Sequence, residues 1–470
     1  MIVFVLLFGF GVTADLRAEQ NTSPWQELTP AQREEIEQFS AEYKSFLQLA
    51  KTELSFVRET ISLCRRSGFT ELTENSPMKP GARYYDVNRD RSISLIVVGR
   101  VPVEEGFHVI GAHIDSPRLE LKPRAMYEKE GFVLFQTNFH GGIKTYQWTN
   151  IPLALMGRVD KKDGTTVWIS IGNNPGEPVF VIPDLAPHVD SQLRSRNYRE
   201  VIQHEELDPI AGHHIWSKPG RSLYETALQY LTESYGIVED DFVSAELSLV
   251  PALSPRDVGF DRGLMALYGQ DDRLSGYAAL RAIMELEVPE RTAIVYCADN
   301  EEVGNVNNTG ARSSYLVDLM SRLLYLQNSD AYREIDLRRA LKKTRVVSSD
   351  VNPGIHPTWP AAFEKLNAPN LGNGVNLKLY GRGFNANSEY IAWMRNLLDK
   401  SSIPWQTITY KVGRGGGGTI GGSISDDNMD VIDIGVPVLS IHTPYSVSSK
   451  LDVYFLYRAM YEFVAYSRSN

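Results

Sequence analysis

Residues 294–304 read IVYCADNEEVG, an apolar run that ends on two adjacent carboxylates, Glu301 and Glu302. Glutamate is rarely buried without a partner, so two like charges closing a core strand need something to hold them. Three other runs end in the same way. FHVIGAHID closes on His113 and Asp115, RVVSSD on Asp350 and VLSIH on His442. Ligands of open parallel sheets bind beyond the carboxyl ends of the strands, so four runs delivering His, Asp and Glu there converge on one crevice. In YGQDDRLSGYAAL, Asp271 and Asp272 stand just before a helical pattern, where the plain role for Asp272 is that of an N-cap.

The Val- and Ile-rich runs at 93–98, 107–112, 293–297, 345–347 and 438–441 read as strands buried on both faces of a mostly parallel sheet. Helical patterns at 274–286 and 386–398 lie between some of them, which makes the class α/β: a mixed, mostly parallel sheet with flanking helices. Thr29-Pro30-Ala31-Gln32 combines capping-box spacing with Pro at the first helical position. Ile36, Phe39, Tyr43, Phe46, Ala50 and Leu54 then recur every three or four residues, as on one amphipathic helix. From 118 to 252 the texture changes to aromatic-rich, strand-like pieces such as GFVLFQTNF and TTVWISIG. At 470 residues the chain exceeds what one core supports. The expected division is a tail at 1–28, catalytic segments at 29–117 and 253–470, and an inserted strand-rich domain at 118–252.

A composition of 43% hydrophobic and 23% charged residues is that of a globular protein, and a net charge of -10 argues against nucleic acid as a partner. Cys64 and Cys297 sit in apolar contexts and read as buried free thiols. The amino terminus, MIVFVLLFGFGVTADL, is too short to span a bilayer. Residues 1–14 resemble a cleaved export signal without the usual positive start, and the alternative is a plain apolar tail. Export would make the mature protein periplasmic or secreted; otherwise it is cytoplasmic.

The converging residues suit a metal. Two Zn²⁺ ions carry four positive charges; Asp271, Glu302 and Asp350 offset three, the imidazoles of His113 and His442 are neutral, and one hydroxide closes the balance. Mixed imidazole and carboxylate ligands suit zinc, with Co²⁺ or Mn²⁺ able to substitute. Asp115, two residues after His113 on an extended segment, faces the same way and can accept the imidazole N–H. Adjacent residues of an extended chain point apart, so Glu302 can face metal while Glu301 serves a metal-activated water as general base.

GAHIDSPRLELKP, QWTNIPLALMGRV, GQDDRLSGY, DNEEVGNVNNTGA, SSDVNPGIHP, GGTIGG and DIGVPVLSIHTP resemble, in order, the blocks of the aspartyl aminopeptidase and vacuolar aminopeptidase I family of zinc exopeptidases. The resemblance implies a zinc exopeptidase fold and removal of N-terminal residues from peptides. It also implies His113, Asp271 and Asp350 on one zinc, and Asp271, Glu302 and His442 on the other, with Asp271 bridging. Glu301 is then the implied base and Asp115 the orienting carboxylate, while 118–252 mediates dimers that assemble into a dodecamer. Where the aspartyl type carries a His-Thr-Trp-Phe-Asp-Arg-Asp block, this chain reads Tyr146-Gln147-Trp148-Thr149-Asn150-Ile151-Pro152. Pro353 replaces another His, and His442 is followed by Thr-Pro-Tyr. These departures resemble the bacterial aminopeptidase 1 branch and imply a preference shifted away from acidic residues. Tyr146, Lys378 and the 413–422 glycine loop are the candidate substrate contacts, against a solvated lysine and a flexible loop.

Two other readings stand beside the aminopeptidase. A deacylase or carboxypeptidase would use a similar ligand set, but that group carries its insertion after the Glu-Glu element, whereas here it precedes Asp271. A non-catalytic scaffold would be expected to have lost a ligand.

Overall fold

The computed structural model describes residues 23–214, 221–381, 384–413 and 416–467. The apolar amino-terminal stretch read as an export signal or tail lies outside them, as do two residues of the glycine loop. Four parallel strands form the centre of a nine-stranded sheet, in the order Ala293–Ala298, His108–His113, Arg345–Ser349 and Asp430–Gly435. Ser92–Val97 runs antiparallel to the first of these and Val375–Lys378 antiparallel to the last.

These strands lack polar alternation because both faces are covered. Val109, Ile294 and Val346 pack with Leu319, Leu323 and Leu341 on one side. Their neighbours Ile110, Val295 and Val347 pack with Leu280, Met460 and Phe463 on the other. That is the two-residue period of a strand serving two cores. Cys64 and Cys297 are buried free thiols.

Two readings of the sequence are corrected. The first helix, Pro30–Leu49, starts at the Thr29–Gln32 capping box but does not reach Leu54. Thr52 and Ser55 form a second capping box and begin a separate helix, Glu53–Arg66. The continuous apolar spacing survives because both helices face one core. The second correction concerns the run at 438–441, which is not a strand of the main sheet. Asp430–Gly435 takes that place, and after Val436 the chain enters Pro437–Leu439, in a separate five-stranded sheet with Arg256–Val258, Leu264–Leu267, Ser446–Ser449 and Asn352–Pro353.

A third sheet has six strands, all antiparallel and all drawn from Arg118 to Pro251. It has its own apolar core around Trp148, Leu155, Leu231 and Leu249. No helix among the described residues is long and apolar enough to cross a membrane.

Candidate metal centre

The sheets meet where strands end. His113 closes His108–His113, Glu301 and Glu302 follow Ala293–Ala298, and Asp350 follows Arg345–Ser349. The other two candidates arrive from the five-stranded sheet: Asp271 after Leu264–Leu267, and His442 after Pro437–Leu439.

Asp271 lies between the two histidines. Its Oδ1 is 3.2 Å from His113 Nε2 and its Oδ2 is 3.1 Å from His442 Nε2. Asp350 Oδ1 stands 3.8 Å from His113 Nε2, and Glu302 Oε1 stands 3.4 Å from His442 Nε2. Donor atoms bound at about 2.0–2.1 Å around a tetrahedral ion lie roughly 3.3 Å from one another, so the spacing fits zinc. His113 Nε2 and Glu302 Oε1 are buried with no hydrogen-bond partner, as expected of atoms that await a cation.

Each imidazole is turned by its other nitrogen. His113 Nδ1 lies 3.1 Å from Asp115 Oδ1, and His442 Nδ1 lies 2.7 Å from the carbonyl oxygen of Gly142. With Nδ1–H donating in each case, both Nε2 lone pairs point at the cluster. The buried Asp115 carboxylate also accepts the backbone N–H of Glu301 and of Glu302, both at 3.1 Å. One side chain thus sets a histidine ring and the loop that carries both glutamates.

The glutamates do not diverge on an extended segment as the sequence reading supposed. They sit in a 3₁₀ turn, Glu301–Val303, entered through Asn300 in the left-handed region at φ 60. The turn still directs them differently: Glu301 Oε2 is 3.9 Å from His113 Nε2, whereas Glu302 reaches toward His442.

Carboxylates crowd this space. Burial raises Glu301 to about 7, with His113 opposing and Asp350 and Asp271 adding to the rise. Burial likewise pushes Glu302 well above the usual range, reinforced by Asp271. For His442 burial acts downward, but the hydrogen bond to Asp271 and the charges of Asp271 and Glu302 hold it up at about 10. A bound cation would relieve each of these strains.

Asp272 is not the N-cap of the plain reading. Gly269 takes the N-cap position, and Asp272 is fully buried. Ligand atoms from Asp272, His113 and Asp350, one each, lie within 4.8 Å of one another, a spacing that can hold a metal ion.

Three residues beside the centre carry no local sequence signal. The strand Phe132–His140 of the antiparallel sheet ends at the site, and His140 Nε2 lies 2.8 Å from Asp115 Oδ2. At Gly141, with φ +72, a Cβ would come 3.0 Å from Glu302 Oε2, so this close approach suits glycine alone. Gly142 supplies the carbonyl for His442. These residues read as the end of an ordinary strand, and only chain folding brings them here.

Beside Asp271, Asp350 and His442 opens a cavity of about 760 Å³. Tyr146 and Lys378 line it, together with Gly417, Gly418, Trp359, Tyr410 and Ile441. Lys378 is not solvated: it is 2% exposed and pairs across the sheet with Asp433.

Residues 46–464 match the family described as Aminopeptidase I zinc metalloprotease (M18). A probable M18 family aminopeptidase 1 from Thermotoga maritima is 40% identical over 441 residues, covering 92% of this chain and 97% of that protein. One from Borrelia garinii is 37% identical over 447 residues, covering 93% and 98%. The crystal structure of an M18 family aminopeptidase from Thermotoga maritima superposes with a TM-score of 0.89 at 38% identity, covering 94% of this chain and 98% of that one.

Proposed function

As a member of the aminopeptidase I zinc metalloprotease family, M18, this chain is a zinc-dependent aminopeptidase with the zinc exopeptidase fold, and we propose that it holds two zinc ions bridged by Asp271. The observation that carries this reading is the division of the Asp271 carboxylate, one oxygen toward His113 and the other toward His442. His113 and Asp350 complete one site, and Glu302 and His442 the other. Family membership favours the aminopeptidase over the deacylase or carboxypeptidase alternative.

Zinc, when bound, supplies Lewis acidity toward the scissile carbonyl and lowers the pKa of water. The proton transfers fall to Glu301. It takes a proton from the attacking water and returns it to the departing amine, a role suited to a carboxylate that stands 3.9 Å from His113 Nε2 beside the centre. Asp115 orients His113 and anchors the glutamate turn through the two backbone N–H groups. Tyr146 and Lys378 line the substrate cavity. Substrates are peptides with a free amino terminus.

The segment 118–252 forms the contact between copies in this reading, as part of a dimer that can build larger assemblies. Its all-antiparallel sheet and the partly exposed Val179 and Tyr230 beside an apolar cleft of about 410 Å³ support that role. A wild-type chain that sediments as a monomer at micromolar concentration would refute it.

The metal reading is tested by elemental analysis together with hydrolysis of aminoacyl anilides. Two zinc ions per chain are expected, with activity lost on chelation and restored by Zn²⁺, Co²⁺ or Mn²⁺. One ion at full activity, or full activity after confirmed metal removal, would overturn it.

A further inference from the structure

The parallel strands also have amino ends, and there the chain forms a second polar cleft, of about 350 Å³. His108, Arg345 and Asp430 begin three adjacent strands and are aligned in register. His108 and His113 open and close the same strand, so this cleft is roughly 16 Å from the candidate metal centre at about 3.3 Å rise per residue.

Arg291, Lys342, Lys343 and Arg345 bring four positive charges to the cleft, against Glu290 and Asp430. Counting Glu105, which pairs with Lys343 from outside the lining, the local excess is one positive charge in a chain whose net charge is -10. Lys343 pairs with Glu105 outside the cleft at 2.9 Å. Among the described residues neither Lys342 nor Arg345 has a carboxylate within ion-pair distance. Arg345 instead lies 4.3 Å from the centre of the Trp393 ring, which fixes the guanidinium without cancelling its charge.

A second observation points independently to a ligand. His108 lines the cleft, is 2% exposed, and its Nδ1 has no hydrogen-bond partner. Buried polar groups are ordinarily hydrogen-bonded, so an unpaired one is a place for a ligand to bind. Its ring packs against Phe463, with centroids 5.0 Å apart.

We propose that this cleft binds a small phosphate-bearing anion, with Arg345 and Lys342 as its charge partners and His108 at its floor. A phosphate group carries the negative charge that a cationic cleft favours, and its oxygens suit the guanidinium fork of Arg345. Burial, with Arg291 and Arg345 nearby, holds His108 down at about 3, so the imidazole stays neutral and adds no charge of its own.

The test is calorimetric titration of the zinc-loaded protein with inorganic phosphate, in wild type, in Lys342→Glu and in Lys342→Gln/Arg345→Gln. The expected result is saturable binding that weakens at least about tenfold in both variants, while anilide hydrolysis measured without phosphate stays unchanged. Lys342 is exposed, so Lys342→Glu keeps the test decisive if the double variant folds poorly. Equal affinity in wild type and Lys342→Glu would assign all binding to the zinc site and overturn the proposal. So would no saturable binding up to about 10 mM phosphate. A variant that changes its sedimentation while binding phosphate normally would make the cleft a contact between copies, and would also overturn it.

Discussion

His140 and Asp115 are joined by a 2.8 Å contact between Nε2 and Oδ2, which ties the antiparallel sheet to the carboxylate behind His113. The other His140 nitrogen lies 3.4 Å from Glu120, which in turn is 2.9 Å from Arg118. Asp115 is therefore held from behind while it holds His113 and the glutamate turn in front. Replacing His140 with Ala is expected to weaken zinc binding about 10- to 100-fold, the usual scale for a residue behind a ligand. Gln, which restores one donor, should recover part of it. Zinc affinity measured by competition with a chelator checks this, and equal affinity in wild type and His140→Ala would refute it.

The same histidine predicts a pH dependence of stability. Burial and Arg118 push His140 down, but the hydrogen bonds to Asp115 and Glu120 outweigh them and raise it to about 9. The folded value thus exceeds the unfolded value of about 6.5. The folded state binds the proton more tightly, so the contribution is fully present below about pH 6.5 and is lost as pH rises through about 9. The slope in that window approaches 1.4 kcal/mol per pH unit at most. The melting-temperature difference between wild type and His140→Gln should shrink from pH 6.5 to 9; a constant difference would contradict the assignment.

Glu301→Gln and Glu302→Gln should fail differently, though the residues are neighbours and the changes are chemically identical. Loss of the base leaves metal content intact and lowers turnover by about 10² to 10⁴. Loss of the ligand lowers metal content, and activity should partly return at high zinc. Rescue of Glu301→Gln by zinc would end this division of roles.

Substrate preference should favour neutral and apolar amino-terminal residues over Asp and Glu. The cavity is lined by Ile143, Trp359, Tyr410 and Ile441. Burial pushes the Lys378 ammonium down, but the charges of Asp350, Tyr410 and Asp433 outweigh it and keep it raised. A panel of aminoacyl anilides decides the matter: a kcat/KM higher for aspartyl or glutamyl than for leucyl substrates would contradict this prediction.

Asp452 is a structural carboxylate with a distinct test. It is fully buried and accepts the N–H groups of Gly372 and Gly374, one on each oxygen, both at 2.7 Å. Asparagine offers only one oxygen, so its amide nitrogen would face one of those donors. Asp452→Asn is expected to destabilise by about 1–3 kcal/mol, read as a lower denaturation midpoint with unchanged metal content. A midpoint equal to wild type would show that the loop does not depend on both acceptors.

Much of the central architecture is legible along the chain because it rests on local patterns. Unbroken Val and Ile runs at 93–98, 107–112, 293–297 and 345–347 declare strands covered on both faces, and the polar residues that end them mark one edge of a sheet. The Thr29–Gln32 capping box is similarly local. What the sequence could not convey is pairing over distance. The run at 438–441 is as apolar as a central strand, yet it lies outside the main sheet, because Asp430–Gly435 occupies the place beside Arg345–Ser349 and Pro437–Leu439 pairs instead with Ser446–Ser449. Asp272 looks like a helix cap until its burial is seen. His140, Gly141 and Gly142 carry no signal at all: a strand end is polar and glycine-rich whether it faces solvent or a metal centre. Local composition determines which segments are strands and where their polar ends fall. Which polar end meets which is decided by the packing of three sheets, since hydrogen bonds and burial between distant segments depend on the whole fold.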